Sequence, residues 1–199
     1  VFQHNPGILY GPEPFDVFPV EQGMELAYGG HTFEAVHTPG HTPGHMCLYD
    51  RNEKIMFLGD HVLFDITPNI CAWYGVSDSL GDYLNSLEKI RAFDISVALP
   101  AHRNTSDLTV AERIDDLLIH HERRLCLTEE IINAHPGLTA YEIAAKLKWR
   151  IRCDSWEDFP PGQKYFALGE TIAHVDHLLQ REKLIRRTDD KGVHHYYSV

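Results

Sequence analysis

The chain has 199 residues, 43% of them hydrophobic, enough to bury a core in one large domain or two smaller ones. A formal charge of −11 argues against a general nucleic-acid-binding surface, and no apolar run approaches the ~20 residues that span a bilayer. Four scattered cysteines without a CxxC pair make neither a disulfide framework nor a structural zinc site, which points to a reduced, cytoplasmic setting.

The opening VFQHNPGILYGPEPF reads as irregular chain, and a start at Val1 reads as an internal position of a longer protein. From about Asp16 to His61, DVFPV, MELAY, HTFEAVH, HMCLYD and KIMFLGD are short β-rich runs separated by turn chemistry. Tyr28–His31 and Asp50–Lys54 are the expected hairpin turns. In DYLNSLEKIRAF, Tyr83, Leu84, Leu87, Ile90 and Phe93 recur at helical spacing, with Asp82 as the expected N-cap. ISVALPAH then reads as a buried strand. Meander, helix and strand together predict a layered α/β architecture. A long amphipathic helix runs from Thr109 to about Ala134 and stops at His135-Pro136-Gly137, the expected boundary between a domain at 1–135 and another at 136–199.

Beyond that boundary LTAYEIAAKLKW predicts a short helix with Thr139 and Glu142 as a capping box. ALGETIAHVDHLLQREKLI predicts a second helix, with Ile172, Val175, Leu178 and Leu179 on one face. LIRRTDDKGVHHYYSV predicts a hairpin turning at Asp189–Gly192. Two helices followed by a hairpin describe a winged helix. Residues 136–199 carry ten basic against nine acidic side chains, so the excess of negative charge sits in residues 1–135.

Fourteen histidines make a metal site worth seeking. In HTPGHTPGH, residues 37–45, two Pro-Gly pairs bracket His41 and oppose a helix, which leaves a loop from which His41 protrudes. Asp60 in FLGDH and His102 in ALPAHR each follow an apolar strand, where side chains leave the sheet edge. Imidazole and carboxylate together suit a divalent ion such as zinc. Two ions sharing a carboxylate activate water without a Ser or Cys nucleophile.

TPGHTPGH, FLGDHVL and ALPAH, in that order, resemble the third, fourth and fifth motifs of the metallo-β-lactamase superfamily. The likeness is nearest to its glyoxalase II-like branch, of the β-lactamase-like protein 2 type, which carries a C-terminal winged helix. The resemblance implies the C-terminal part of an αββα sandwich at 1–135 and a winged helix at 136–199. It implies that His41 binds one zinc, His102 a second, and Asp60 bridges them as the catalytic carboxylate. His45 and Arg103 would support these ligands from behind; Arg103 stands where the family commonly has Gly. The implied reaction is hydrolysis of a small-molecule ester or thioester by metal-bound hydroxide. The family's leading HxHxDH motif is absent between Val1 and His41. The expectation is therefore an incomplete two-zinc site and an inactive chain. Its sheet would need a cover, from a homodimer or a retained N-terminal fragment.

Two other functions compete. A metal-dependent ribonuclease would hold RNA through Arg181, Lys183, Arg186 and Arg187, although RIRCDSWEDFPPGQKYF is too long for a helix-turn-helix turn and the charge is near neutral. A non-enzymatic binding module is the third. The remaining residues take plain roles: His31, His37 and His61 as surface or turn histidines, and His120 and His121 in helix-surface pairs with Asp116 or Glu122. His194 and His195 receive no role, and Trp73, Tyr74 and Trp149 go to the core.

Overall fold

A computed structural model of the chain describes residues 18–150, 153 and 155–199. Residues 1–15, read above as irregular chain, lie outside them. Five strands form one sheet in chain order: β1 (Glu25–Tyr28), β2 (His31–His37), β3 (Met46–Asp50), β4 (Ile55–Gly59) and β5 (Val97–Pro100). The first four pair antiparallel, and β5 joins β4 in parallel. Gly29 and Gly30, at φ 61° and 86°, close the first hairpin. In the β3–β4 turn, Asp50 Oδ1 accepts the N–H groups of Asn52 and Glu53. DVFPV is a correction: Phe18–Val20 form no strand, in keeping with a proline that has no N–H to give a ladder, and Asp16 and Val17 lie outside the described residues.

The crossover from β4 to β5 carries α1 (Ser79–Arg91). It starts earlier than expected, because Asp78 rather than Asp82 is the N-cap, accepting the Gly81 N–H at 2.7 Å. Leu80, Tyr83, Leu87 and Ile90 of α1 are fully buried against Val36, Cys47, Tyr49, Met56 and Leu58, one face of the sheet. The long helix α2 (Val110–Ala134) adds Ile114, Leu117, Leu125 and Ile132 to the same core. The other face of the sheet carries Phe33, Leu48, Ile55, Phe57, Val97 and Leu99, none of which joins this core cluster. Phe57 and Val97 are 43% and 44% exposed. Among the described residues, no helix is long and apolar enough to cross a membrane.

Thr109 and Glu112 form a capping box at the start of α2, each satisfying the other's backbone N–H. Thr109→Ala is expected to cost about 1 kcal/mol of stability. Urea unfolding of the two proteins checks this, and an unchanged midpoint would contradict it.

The C-terminal elements are α3 (Ala140–Lys146), α4 (Pro161–Gln180), β6 (Leu184–Thr188) and β7 (His194–Ser198). The capping box at Thr139 and Glu142 and the turn at Asp189–Gly192 both form as the sequence predicts. Leu138 bridges to Tyr196 and ties the hairpin to the end of α2. Helix α4 begins six residues before the expected Ala167, because Pro161 occupies the first turn, where a missing N–H costs nothing. It packs on both α1 and α2 through an Asp78–His177 hydrogen bond and an Arg124–Glu170 ion pair.

Candidate metal centre

The topology brings His41, Asp60 and His102 to one sheet edge. Strand β2 runs parallel to β4 through their shared antiparallel neighbour, and β5 is parallel to β4. The loop after β2 (His41), the residue after β4 (Asp60) and the turn after β5 (His102) therefore meet at the carboxyl ends, where open α/β sheets place ligands.

His41 Nε2 lies 3.6 Å from Asp60 Oδ2, and His102 Nε2 lies 3.2 Å from Asp60 Oδ1. One imidazole thus stands at each carboxylate oxygen. His41 Nδ1 donates to the Asn69 carbonyl at 2.9 Å, the tautomer whose other nitrogen, Nε2, turns a lone pair toward Asp60. Two acceptors facing each other are favourable only with a cation, proton or metal, between them. Asp60 Oδ1 is itself buried without a hydrogen-bond partner, since His102 Nε2 lacks the alignment. The donor types suit a divalent ion. Their number falls short, because two ions sharing Asp60 would each have only one imidazole, against three or four protein ligands at zinc sites. Among the described residues, no group of three or more His, Cys, Asp or Glu has an arrangement that holds a metal ion.

His45 sits behind the carboxylate. Its Nε2 accepts the Asp60 N–H at 3.1 Å and its Nδ1 meets buried Thr38 Oγ1 at 2.7 Å. Burial, then the neighbouring His41, holds the His45 pKa down at about 4, so the ring is neutral at pH 7 and its lone pair is free to accept. Gly59, at φ 55°, has no room for a Cβ against the His45 ring. Trp73 donates from Nε1 to the His41 carbonyl at 3.0 Å. Arg103, at φ 67°, lines a groove beside His102 rather than contacting Asp60. Sequence reasoning missed Asn69 and assigned Trp73 to the core. Asn69 acts on His41 through its backbone carbonyl, which leaves no mark on residue type.

Several histidines differ from the plain roles read for them. His61 is buried rather than superficial, and His121 is buried against α4 rather than paired on the helix surface. The reason is a continuous file of rings, His41, His45, His61, Tyr83, His121 and His174, each 5.1 to 6.4 Å from the next. His174 Nδ1 donates to the Glu170 carbonyl, leaving its Nε2 to accept from His121 Nδ1 at 3.2 Å. Burial holds His61 and His174 down at about 3 and His121 well below its ordinary value. His31 pairs with Asp50, His37 bonds the Pro43 carbonyl, and His195 bonds Gly137 O and Asp189. Arg181, Lys183, Arg186 and Arg187 lie at the end of α4 and on or beside β6. They share no hydrogen bond with His41, Asp60 or His102 among the described residues.

Comparison with known proteins gives two family matches. Residues 2–102 match the model of the metallo-beta-lactamase superfamily, and residues 158–199 match a metallo-beta-lactamase-like C-terminal domain. A beta-lactamase-like protein 2 homolog of Caenorhabditis elegans is 29% identical over 137 residues, 67% of this chain and 44% of that protein. An atrochrysone carboxyl ACP thioesterase of Emericella nidulans is 32% identical over 130 residues, 64% of this chain and 40% of the thioesterase. The crystal structure of a beta-lactamase domain protein from Burkholderia ambifaria superposes with a TM-score of 0.84 at 27% identity, covering 97% of this chain and 56% of that one. The chain spans about half the length of the relatives it matches.

Proposed function

This chain belongs to the metallo-β-lactamase superfamily, and we propose that it carries part of the active centre of a zinc-dependent hydrolase of small-molecule esters or thioesters. The observation that carries the proposal is the Asp60 carboxylate held between two imidazole nitrogens, one to each oxygen. A relative named as a thioesterase supports the bond type. Zinc would be held by His41, Asp60 and His102, with further ligands lying outside these three. The three alone do not make a complete centre.

The chain's own residues prepare the donors. Asn69 O accepts from the His41 ring Nδ1, which fixes the tautomer that presents Nε2, while Trp73 Nε1 donates to the His41 backbone carbonyl. His45, made neutral by burial, holds the backbone of Asp60. In this reading residues 136–199 are a winged helix, and the apolar outer face of the sheet supports homodimerisation as its cover.

Zinc titration with thioester hydrolysis tests the proposal. The 199-residue chain is expected to bind zinc weakly, at fewer than two tight ions per protomer. A longer chain supplying the remaining ligands is expected to hydrolyse a thioester and to lose that activity on His41→Ala with its fold intact. Two tightly held ions in the 199-residue chain would refute the incomplete centre. Unchanged activity of His41→Ala would refute the ligand assignment.

A further inference from the structure

A basic groove of this acidic chain begins at Arg103, the residue after His102. On α2, residues 113, 116, 120, 123, 124 and 127 recur at helical spacing and face one groove. The loop after α3 brings Lys148, Trp149 and Arg150 to the opposite wall, and Asp65–Thr67 with Arg103 close the end nearest His102. Two adjoining recesses make up the groove, sharing His120, Arg124 and Arg150, and the larger has a volume of about 830 Å³.

Six guanidinium or ammonium groups line it against three carboxylates. Those carboxylates are engaged: Glu170 by Arg124 and Asn69, Asp116 by Arg113, and Asp65 by Asn104. Among the described residues, Arg103, Arg123, Lys148 and Arg150 have no carboxylate within ion-pair distance. Arg124, nine-tenths buried, has its guanidinium carbon 3.8 Å from the centre of the Trp149 ring, and its Nη2, itself buried, has no hydrogen-bond partner among the described residues. His120, in the middle of the groove, feels the same field. Burial first, then Arg124, Arg150, Arg113 and Arg123, keeps its pKa below the ordinary imidazole value.

Cations with no carboxylate partner among the described residues, ranged along one groove beside a guanidinium stacked on Trp149, are the chemistry that recognises phosphate. We propose that this groove is a phosphate-binding subsite, and that the substrate is a phosphate-bearing ester or thioester. The proposal rests on the hydrolase reading for the scissile bond, which would lie at Asp60, while the phosphate reaches past Arg103 toward Arg123, Arg124 and Arg150. A recess of this size suits a small molecule, and the negative charge of the remaining chain opposes a long polyanion.

Calorimetric titration of the 199-residue chain with inorganic phosphate and with pyrophosphate tests the subsite without requiring turnover. Saturable binding is expected, tighter for pyrophosphate, and weakened about tenfold or more by Arg123→Gln combined with Arg150→Gln. Both side chains are exposed, so the fold is expected to survive, and circular dichroism checks it. Arg187→Gln, on β6, is expected to bind as the parent does. Binding that never saturates, or that the double substitution leaves unchanged, overturns the subsite. A short single-stranded RNA that binds more tightly than pyrophosphate, with steep salt dependence and loss in the double variant, overturns the small-molecule assignment in favour of nucleic acid. Phosphate binding with no thioester hydrolysis in any longer chain counts against the hydrolase alone.

Discussion

Replacing Gly40 by alanine is expected to destabilise the chain by about 3–5 kcal/mol, the sum of backbone strain and overpacking. Gly40 has φ 138°, where L residues are strained, and its loop is pressed onto α1. A Cβ there would fall on the Cβ, Cα and backbone nitrogen of Tyr83, which is fully buried and donates from its hydroxyl to the His61 carbonyl. The loop has no easy way to lift. Ser86 Oγ donates to Pro39 O at 2.9 Å and Lys89 Nζ to His37 O at 2.6 Å, so α1 grips the chain leading into the glycine. In a chain of this size the change corresponds to roughly 10 °C in melting temperature. Gly44, in the second Thr-Pro-Gly of the same loop, has nothing within 4 Å of a Cβ, and Gly44→Ala is expected to melt like the parent. Equal melting of the two variants would show that the docked loop does not constrain position 40.

Acid is expected to unfold the chain well above the pH at which carboxylates titrate. His174 is buried and held at about 3, and His121 is shifted in the same direction. In the unfolded chain both titrate near 6.5, so between that pH and about 3 the unfolded state binds protons that the folded state refuses. Stability is therefore full above about pH 6.5 and falls as the pH drops through that window. Each refused proton removes about 1.4 kcal/mol per pH unit. His174 alone over two units gives roughly 3 kcal/mol, a large share of the stability of an ordinary domain, and His121 acts in the same direction. Urea midpoints at pH 7, 5.5 and 4.5 measure the slope, and His174→Gln is expected to flatten it. A midpoint constant down to pH 4.5 would mean that the ring pair accepts a proton in place.

What could be read from the sequence was what short-range chemistry determines. The strands from β1 to β4, the capping box at Thr139 and Glu142 and the turn at Asp189–Gly192 each depend on residues a few positions apart. The meeting of His41, Asp60 and His102 was accessible too, since each follows a strand and strand direction fixes which ends lie together. The His121–His174 pair was not, because 53 residues separate rings that touch only once α4 docks on α2. Asp78 and Asp82 are equally good caps by type, and only the bond to the Gly81 N–H distinguishes them. Pro161-Gly162 looks like a break but serves as a helix start. The basic groove was hidden because its members come from α2, two loops and the turn after β5, with acidic residues interspersed in sequence.

The contact between Asn69 and α4 has a consequence for how this molecule can change over time. The carbonyl of Asn69 orients His41, while its side-chain amide donates to Glu170 at 3.2 Å, and Glu170 in turn pairs with Arg124. An imidazole at the carboxyl ends of the strands thus takes its orientation from contacts that reach a helix almost 130 positions further along the chain. The C-terminal region is therefore not an interchangeable attachment. A homologous tail grafted in its place would have to bring a carboxylate at position 170, and drift at Asn69, Arg124 or Glu170 is tolerable only when the other two drift with it.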